Sequence, residues 1–174
     1  MKTLLTEAFL KKASSMLLFK TLKLPEVKKI MSVARTSRYE NGEKIISKDD
    51  VSPFLFIVLE GTVNVTVPQN NGEQVFICSI GVGDVFGEAG IFLKVARTAD
   101  VVAADTATLL EISRGDLIGF IRSNPEAGIK ILMLIIYSLL KKLKDANLEL
   151  AFERKADINQ SDIDSIVEDV MGEI

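Results

Sequence analysis

Histidine is absent from this 174-residue chain, and Cys78 is its only cysteine. Zinc sites of the Cys/His kind, histidine general bases and a disulfide framework are thereby excluded. Cys78 lies in the apolar run VFICSI, where a lone thiol is expected to be buried packing without chemistry. Long apolar runs are missing too. The longest, Ile129 to Leu140 (IKILMLIIYSLL), carries Lys130 and falls short of the roughly 18 residues that a membrane span needs. The amino-terminal segment has Glu7, Lys11 and Lys12 in its middle, which makes it a poor signal peptide. The expectation is a cytoplasmic protein of one domain, without a membrane segment.

Charge is small in total, at −3, but unevenly placed. Lys2, Lys11, Lys12, Lys20, Lys23, Lys28 and Lys29 crowd the first 36 residues, whereas Asp157, Asp162, Asp164, Glu168, Asp169 and Glu173 make the tail acidic. Lysines at helical spacing, with no aromatic platform among them, read as a solvated helix face, and an acidic tail repels phosphates. No nucleic-acid partner is expected.

Periodicity divides the chain into helix, many short strands, and helix again. Residues 4–34 carry apolar positions at helical spacing, interrupted at Leu24-Pro25, where proline can open a second short helix. From Ser37 onward glycines punctuate the β-rich runs EKIIS, FLFIVLE, TVNVTV, QVFICSI, ADVVAA and ATLLEIS. TVNVTV alternates as a strand with one wet face should, and Asn71-Gly72 predicts a hairpin. Strands at this spacing predict an α+β fold: an antiparallel β-roll, a jelly-roll-like barrel, flanked by N-terminal helices and a long C-terminal helix. The expected boundaries are helices over 1–36, the roll over 37–113, helices over 114–152 and an acidic tail over 153–174.

Ser113-Arg-Gly-Asp116 predicts a capped start for a short helix that ends before Asn124-Pro125. A long helix then runs to about Phe152. Its Ile129, Leu132, Ile136, Leu139, Leu143, Ala146 and Leu150 fall at steps of three and four, an a/d stripe suited to a homodimer. Met133, Tyr137 and Leu140 form a second face, so the helix is expected to bury one side on the roll and one on a partner; the alternative is a single wide stripe facing the core. The tail adds one short amphipathic helix through Ile163, Ile166, Val167 and Val170.

Chemistry concentrates in FGEAGIFLKVARTA, residues 86–99. Gly87 can take backbone conformations closed to other residues, and a helical turn from Glu88 would present free N–H groups to an anion. Arg97 can close that cradle with a planar two-pronged donor, Thr98 adds a hydroxyl, and Ala99 keeps the wall thin. A carboxylate beside an anion site needs a donor to bind, and a sugar hydroxyl is one, so Glu88 fits a ribose. A 3′,5′-cyclic phosphate is a monoanion with one free ribose hydroxyl, which matches one arginine and one carboxylate. No P-loop lysine or long glycine-rich loop is present for a larger nucleotide. The alternative is a structural salt bridge between Glu88 and Arg97.

FGEAGIFLKVARTADVVA resembles the phosphate-binding cassette of the cyclic nucleotide-binding domain family, found in the catabolite activator protein and in regulatory subunits of cyclic-AMP-dependent kinase. YENGEKIISKDDVSPFLFIVLEGTVNV is similar to the family's first hairpins, and TATLLEISRGDLIGFIRSNPE to its last strand and following helix. The likeness covers roughly residues 15–150. It implies that Gly87 and Ala89 give main-chain donors to the phosphate, Glu88 takes the ribose 2′-hydroxyl, and Arg97 pairs with an equatorial oxygen, with Thr98 nearby. Val65 and Ile77 would contact the purine from the roll's inner wall, while the long helix would act as a lid bearing Asn147 for the base edge. Ala96 departs from the proline that relatives often carry there.

The resemblance implies a regulatory module rather than an enzyme, with cyclic AMP favoured over cyclic GMP and no metal. Family members that bind DNA continue past the long helix with a helix-turn-helix domain, for which the residues after 150 are too few. The alternatives are a structural dimerisation module of the same fold that binds no nucleotide, and a fragment of a transcription regulator. Enzymes built on a similar roll hold their metals with histidine, which this chain lacks.

Overall fold

The computed structural model describes residues 17–69, 71–93 and 95–172, with side chains from Phe19 to Phe152. The expected N-terminal helix before residue 17 lies outside the described residues. Two helices open the described chain, α1 (Leu17–Lys20) and α2 (Leu24–Val33). Pro25 sits in the first turn of α2, where its missing N–H is not needed, and the Glu26 carboxylate accepts from the Lys23 N–H at 2.6 Å.

Eight strands follow, interrupted by one short helix. They are β1 (Arg35–Tyr39), β2 (Lys44–Ile46), β3 (Phe54–Glu60), β4 (Val63–Pro68), β5 (Gln74–Ile80), β6 (Val85–Phe86), β7 (Asp100–Ala103) and β8 (Ala107–Ser113), with α3 (Glu88–Leu93) between β6 and β7. All pairings are antiparallel, in one sheet of order β1-β8-β3-β6 and another of order β2-β7-β4-β5. This is the expected roll.

Burial on both faces explains why β3 reads as an unbroken apolar run rather than an alternation. Leu55, Ile57 and Leu59 join a cluster with Leu110 and Ile112 of β8 and the helical residues Val27, Ile30, Leu117 and Ile131. Phe56 and Val58 point the other way, into the roll, with Val63, Ile80, Phe86, Val101 and Leu109. The Asn71-Gly72 hairpin joins β4 to β5. Gly72 supplies the positive φ (85°), and the Asn71 side chain accepts from the Glu73 N–H at 3.1 Å.

Strand β1 was not legible as a strand, since RTSRY has no apolar alternation. Cross-strand pairing with β8 selects it. Cys78 corrects another expectation: it is exposed, as is all of β5 before Ile80. The reason is position, because β5 is the outer strand of its sheet and pairs only with β4.

After β8 come α4 (Arg114–Ser123) and α5 (Pro125–Gly172). Ser113 caps α4 as predicted, accepting from the Asp116 N–H at 3.1 Å. Helix α5 does not stop near Phe152. No proline or glycine breaks the sequence there, and the helix continues through the acidic tail to Gly172, with the tail's Ile163, Ile166, Val167 and Val170 side chains outside those described. The chain forms two compact units, 1–135 and 136–174.

Within the first unit, α5 buries Ala127, Ile131 and Ile135, which is neither of the two faces expected from the heptad pattern. Gly128 sets this rotation. A Cβ there would lie 2.9 Å from both Cα and Cγ2 of Ile121, so α5 approaches α4 along the Ala127–Gly128 side. Ile129, Ile136, Leu139, Leu143, Ala146 and Leu150 are exposed, as are Met133, Tyr137 and Leu140, while Leu132 is half-buried. Among the described residues, no helix is long and apolar enough to cross a membrane.

Candidate functional site

The residues 86–99 are positioned from one end by β6 and from the other by β7. Phe86 pairs with Phe56 across β3 and stacks on its ring, with centroids 4.9 Å apart and planes within 9°. Gly87 follows with φ of 82°, a left-handed conformation that a side chain would strain. A Cβ at Gly87 would also meet the Phe54 carbonyl and Arg97 Nη1, each at 2.8 Å. The chain then turns directly into α3, whose first residue is Glu88. The first N–H groups of such a turn have no partner within the helix.

Arg97 is buried, with 6% of its surface exposed. Its main chain is tied to the 47–53 loop: Asp49 N–H donates to the Arg97 carbonyl at 2.8 Å, and Arg97 N–H donates to the Asp50 carbonyl at 2.9 Å. Its guanidinium reaches back to the same segment. Nη2 donates to the carbonyls of Ser52 (2.9 Å) and Phe54 (2.8 Å), and Nη1 donates to the Gly87 carbonyl at 2.9 Å. Nε is buried with no hydrogen-bond partner.

These acceptors are neutral carbonyls, and the negative charges that act on the guanidinium are those of Glu88 and Asp50. Burial pulls the Arg97 pKa below its ordinary value, and the negative charges of Glu88 and Asp50 oppose that shift. Glu88 is itself buried at 8% exposure. A buried guanidinium with an unanswered N–H, next to a glycine turn and the start of a helix, is a place where an anion gains an immediate partner. These residues are the candidate seat for a phosphate. Among the described residues, no group of three or more His, Cys, Asp or Glu side chains could hold a metal ion.

The remaining sequence candidates are placed as follows. Ala89 is exposed on α3, Thr98 is exposed, and Ala99 is half-buried beside Arg97 in the chain. Val65 packs against the cluster inside the roll. It pairs with Cys78, and Thr66 pairs with Phe76, so Ile77 is the extra residue of a bulge in β5 and is exposed. Asn147 lies on α5 in the second unit and is exposed. Sequence reasoning did not identify Ser52, Phe54, Asp50 or Gly90 as parts of the site. The first three act through main-chain carbonyls or at range, which leaves no mark in residue type. Gly90 did carry a signal, a glycine inside a helix.

Comparison with known proteins follows the same line. The family described as cyclic nucleotide-binding domain matches residues 36–124, about half of the chain, and the chain belongs to that family. It is 29% identical over 133 residues to a cyclic AMP receptor protein of Thermus thermophilus, a match that covers 76% of this chain and 60% of the relative. It is 27% identical over 144 residues to a putative potassium channel protein of Rhodopseudomonas palustris, covering 82% of this chain and 34% of the relative. The chain thus spans less than two thirds of the length of these curated relatives.

Among solved structures, a cyclic nucleotide-binding domain from Methylobacillus flagellatus superposes with a TM-score of 0.70 at 23% identity, covering 80% of this chain and 78% of that one. The catabolite activator protein of Thermus thermophilus superposes at 0.65 with 28% identity, covering 78% and 62%. The shared element is the roll with its flanking helices.

Proposed function

We propose that this chain is a regulatory module that binds a 3′,5′-cyclic nucleotide at residues 86–99. The observation that carries the reading is Arg97: a buried cation whose Nε–H lacks an acceptor, set beside Gly87 and the start of α3. The ligand's phosphate would answer that N–H together with the main-chain N–H groups at Gly87 and Ala89, and Glu88 would accept from the ribose 2′-hydroxyl. Thr98 and Ala99 complete the phosphate side, and Val65 and Ile77 face the base. Cyclic AMP is favoured over cyclic GMP, in keeping with the cyclic AMP receptor protein among the relatives.

Binding would shift the population of α5 positions, and the long exposed apolar face of that helix would pair two copies and pass the change to a partner protein. The module itself performs no catalysis. Calorimetry with cyclic AMP and cyclic GMP tests the reading. Saturable heat with cyclic AMP at one site per chain is expected, and no heat with either nucleotide would reject it. A strict monomer in sedimentation at high concentration would reject the pairing.

The same arginine also favours a second reading. Three of its donors already hold the 47–54 segment and Gly87 together, as a structural arginine would in a module that binds nothing. The two readings part on calorimetry.

A further inference from the structure

Two glycines flank the Arg97 guanidinium, and they are glycine for different reasons. Gly87 needs its positive φ. Gly90 does not: it lies inside α3 with helical backbone, where alanine would be the better helix former. Space is what singles it out. Gly90 is buried, and a Cβ added there would come within 2.8 Å of Arg97 Nη1, 2.9 Å of Arg97 Cζ and 2.9 Å of the Ser52 carbonyl. Real Cβ atoms essentially never sit that close to another heavy atom. The Ser52 carbonyl is itself an acceptor for Nη2, so a methyl group at residue 90 would press on the donor and on its acceptor together.

We propose that Gly90 is a positioning residue for Arg97: its missing side chain is the space that lets the guanidinium approach α3 and meet the Ser52, Phe54 and Gly87 carbonyls. A larger residue at 90 would lift the fork from that seat and turn its Nε–H away from the anion. The consequence for ligand affinity rests on the cyclic-nucleotide reading above, whereas the seating of Arg97 does not.

The test is a double-mutant cycle with Gly90→Ala and Arg97→Ala, read by cyclic AMP calorimetry and by ligand-free thermal melting. Gly90→Ala is expected to weaken cyclic AMP binding about tenfold or more, as overpacking a closed site does, and to lower the ligand-free Tm. In the Arg97→Ala background the same change is expected to have a smaller Tm effect, because two of the three atoms it would crowd, Arg97 Nη1 and Cζ, are gone and only the Ser52 carbonyl remains. Wild-type affinity in Gly90→Ala, a Tm that rises as helix propensity alone dictates, or an equal Tm loss in both backgrounds would each overturn the proposal. If Gly90→Ala fails to fold, recovery of folding in the double variant supports it and failure of both overturns it. If the wild-type protein binds neither nucleotide, the functional reading falls and the Tm cycle still decides the role of Gly90.

Discussion

Glu111 and Arg97 are two buried charges in the same unit with opposite kinds of surroundings. Glu111, on β8, is 4% exposed, and both of its oxygens are answered. Arg35 donates to Oε2 from Nε (3.1 Å) and Nη2 (2.8 Å), and the Tyr39 hydroxyl donates to Oε1 at 2.9 Å. Charge meets charge, and the result is a strap between β1 and β8. Arg97 meets neutral carbonyls and keeps one N–H without a partner. The two differ in their partners: Glu111 is matched by a charge within the fold, whereas Arg97 keeps one N–H without an acceptor, the donor that the proposed phosphate would answer.

The comparison is sharpened most by Arg97→Ala. Cyclic AMP affinity is expected to fall about a hundredfold or more, since truncating a buried charge that meets an anion has effects of that order. A loss under threefold by calorimetry would place Arg97 with Glu111 as a structural charge. Arg35→Ala is the matching experiment on the structural side. It leaves the Glu111 carboxylate with Tyr39 alone and should remove about 2 kcal/mol of stability in denaturant unfolding, with cyclic AMP affinity unchanged. Arg35 is itself largely exposed, which keeps that effect moderate.

Alkaline pH gives a smaller effect in the same strap. Burial, then the hydrogen bond to Glu111, pushes the Tyr39 pKa up to about 12. The unfolded chain loses its tyrosine proton near pH 10, so this contribution is intact below about pH 10 and is lost as pH rises toward 12. Tyr39→Phe should flatten stability over that window in alkaline urea titrations. The smallest expected effect lies at Asp100, next to the cassette in sequence. Hydrogen bonds from Lys44 and from the Lys48 main chain hold its pKa below the usual carboxylate value. Its contribution is present above the unfolded pKa and lost as pH falls through the folded one. Lys44→Met should shrink that acid-side loss, measured by thermal melting across acidic pH.

Much of the fold was readable because local rules coincide with burial. The run FLFIVLE, the Asn71-Gly72 turn and the Ser113 cap each appear where residue type alone places them. Strand β1 was not readable, because RTSRY takes its conformation from β8. The orientation of α5 was misread for a related reason. A 48-residue helix with apolar residues on several sides offers more than one plausible stripe, and only the close approach of Gly128 to Ile121 selects Ala127, Ile131 and Ile135. In the cassette, the ionisable residues were legible, but their acceptors were main-chain atoms that any residue could supply.

The amino-acid order by itself determined which chemistries were excluded, that a strand-rich middle lies between helical ends, and that a glycine, a carboxylate and an arginine share one loop. Tertiary structure decided what the arginine touches, which face of α5 is buried, and that Cys78 is exposed. Those outcomes depend on main-chain carbonyls and on the neighbour order of strands, and neither is written in residue type.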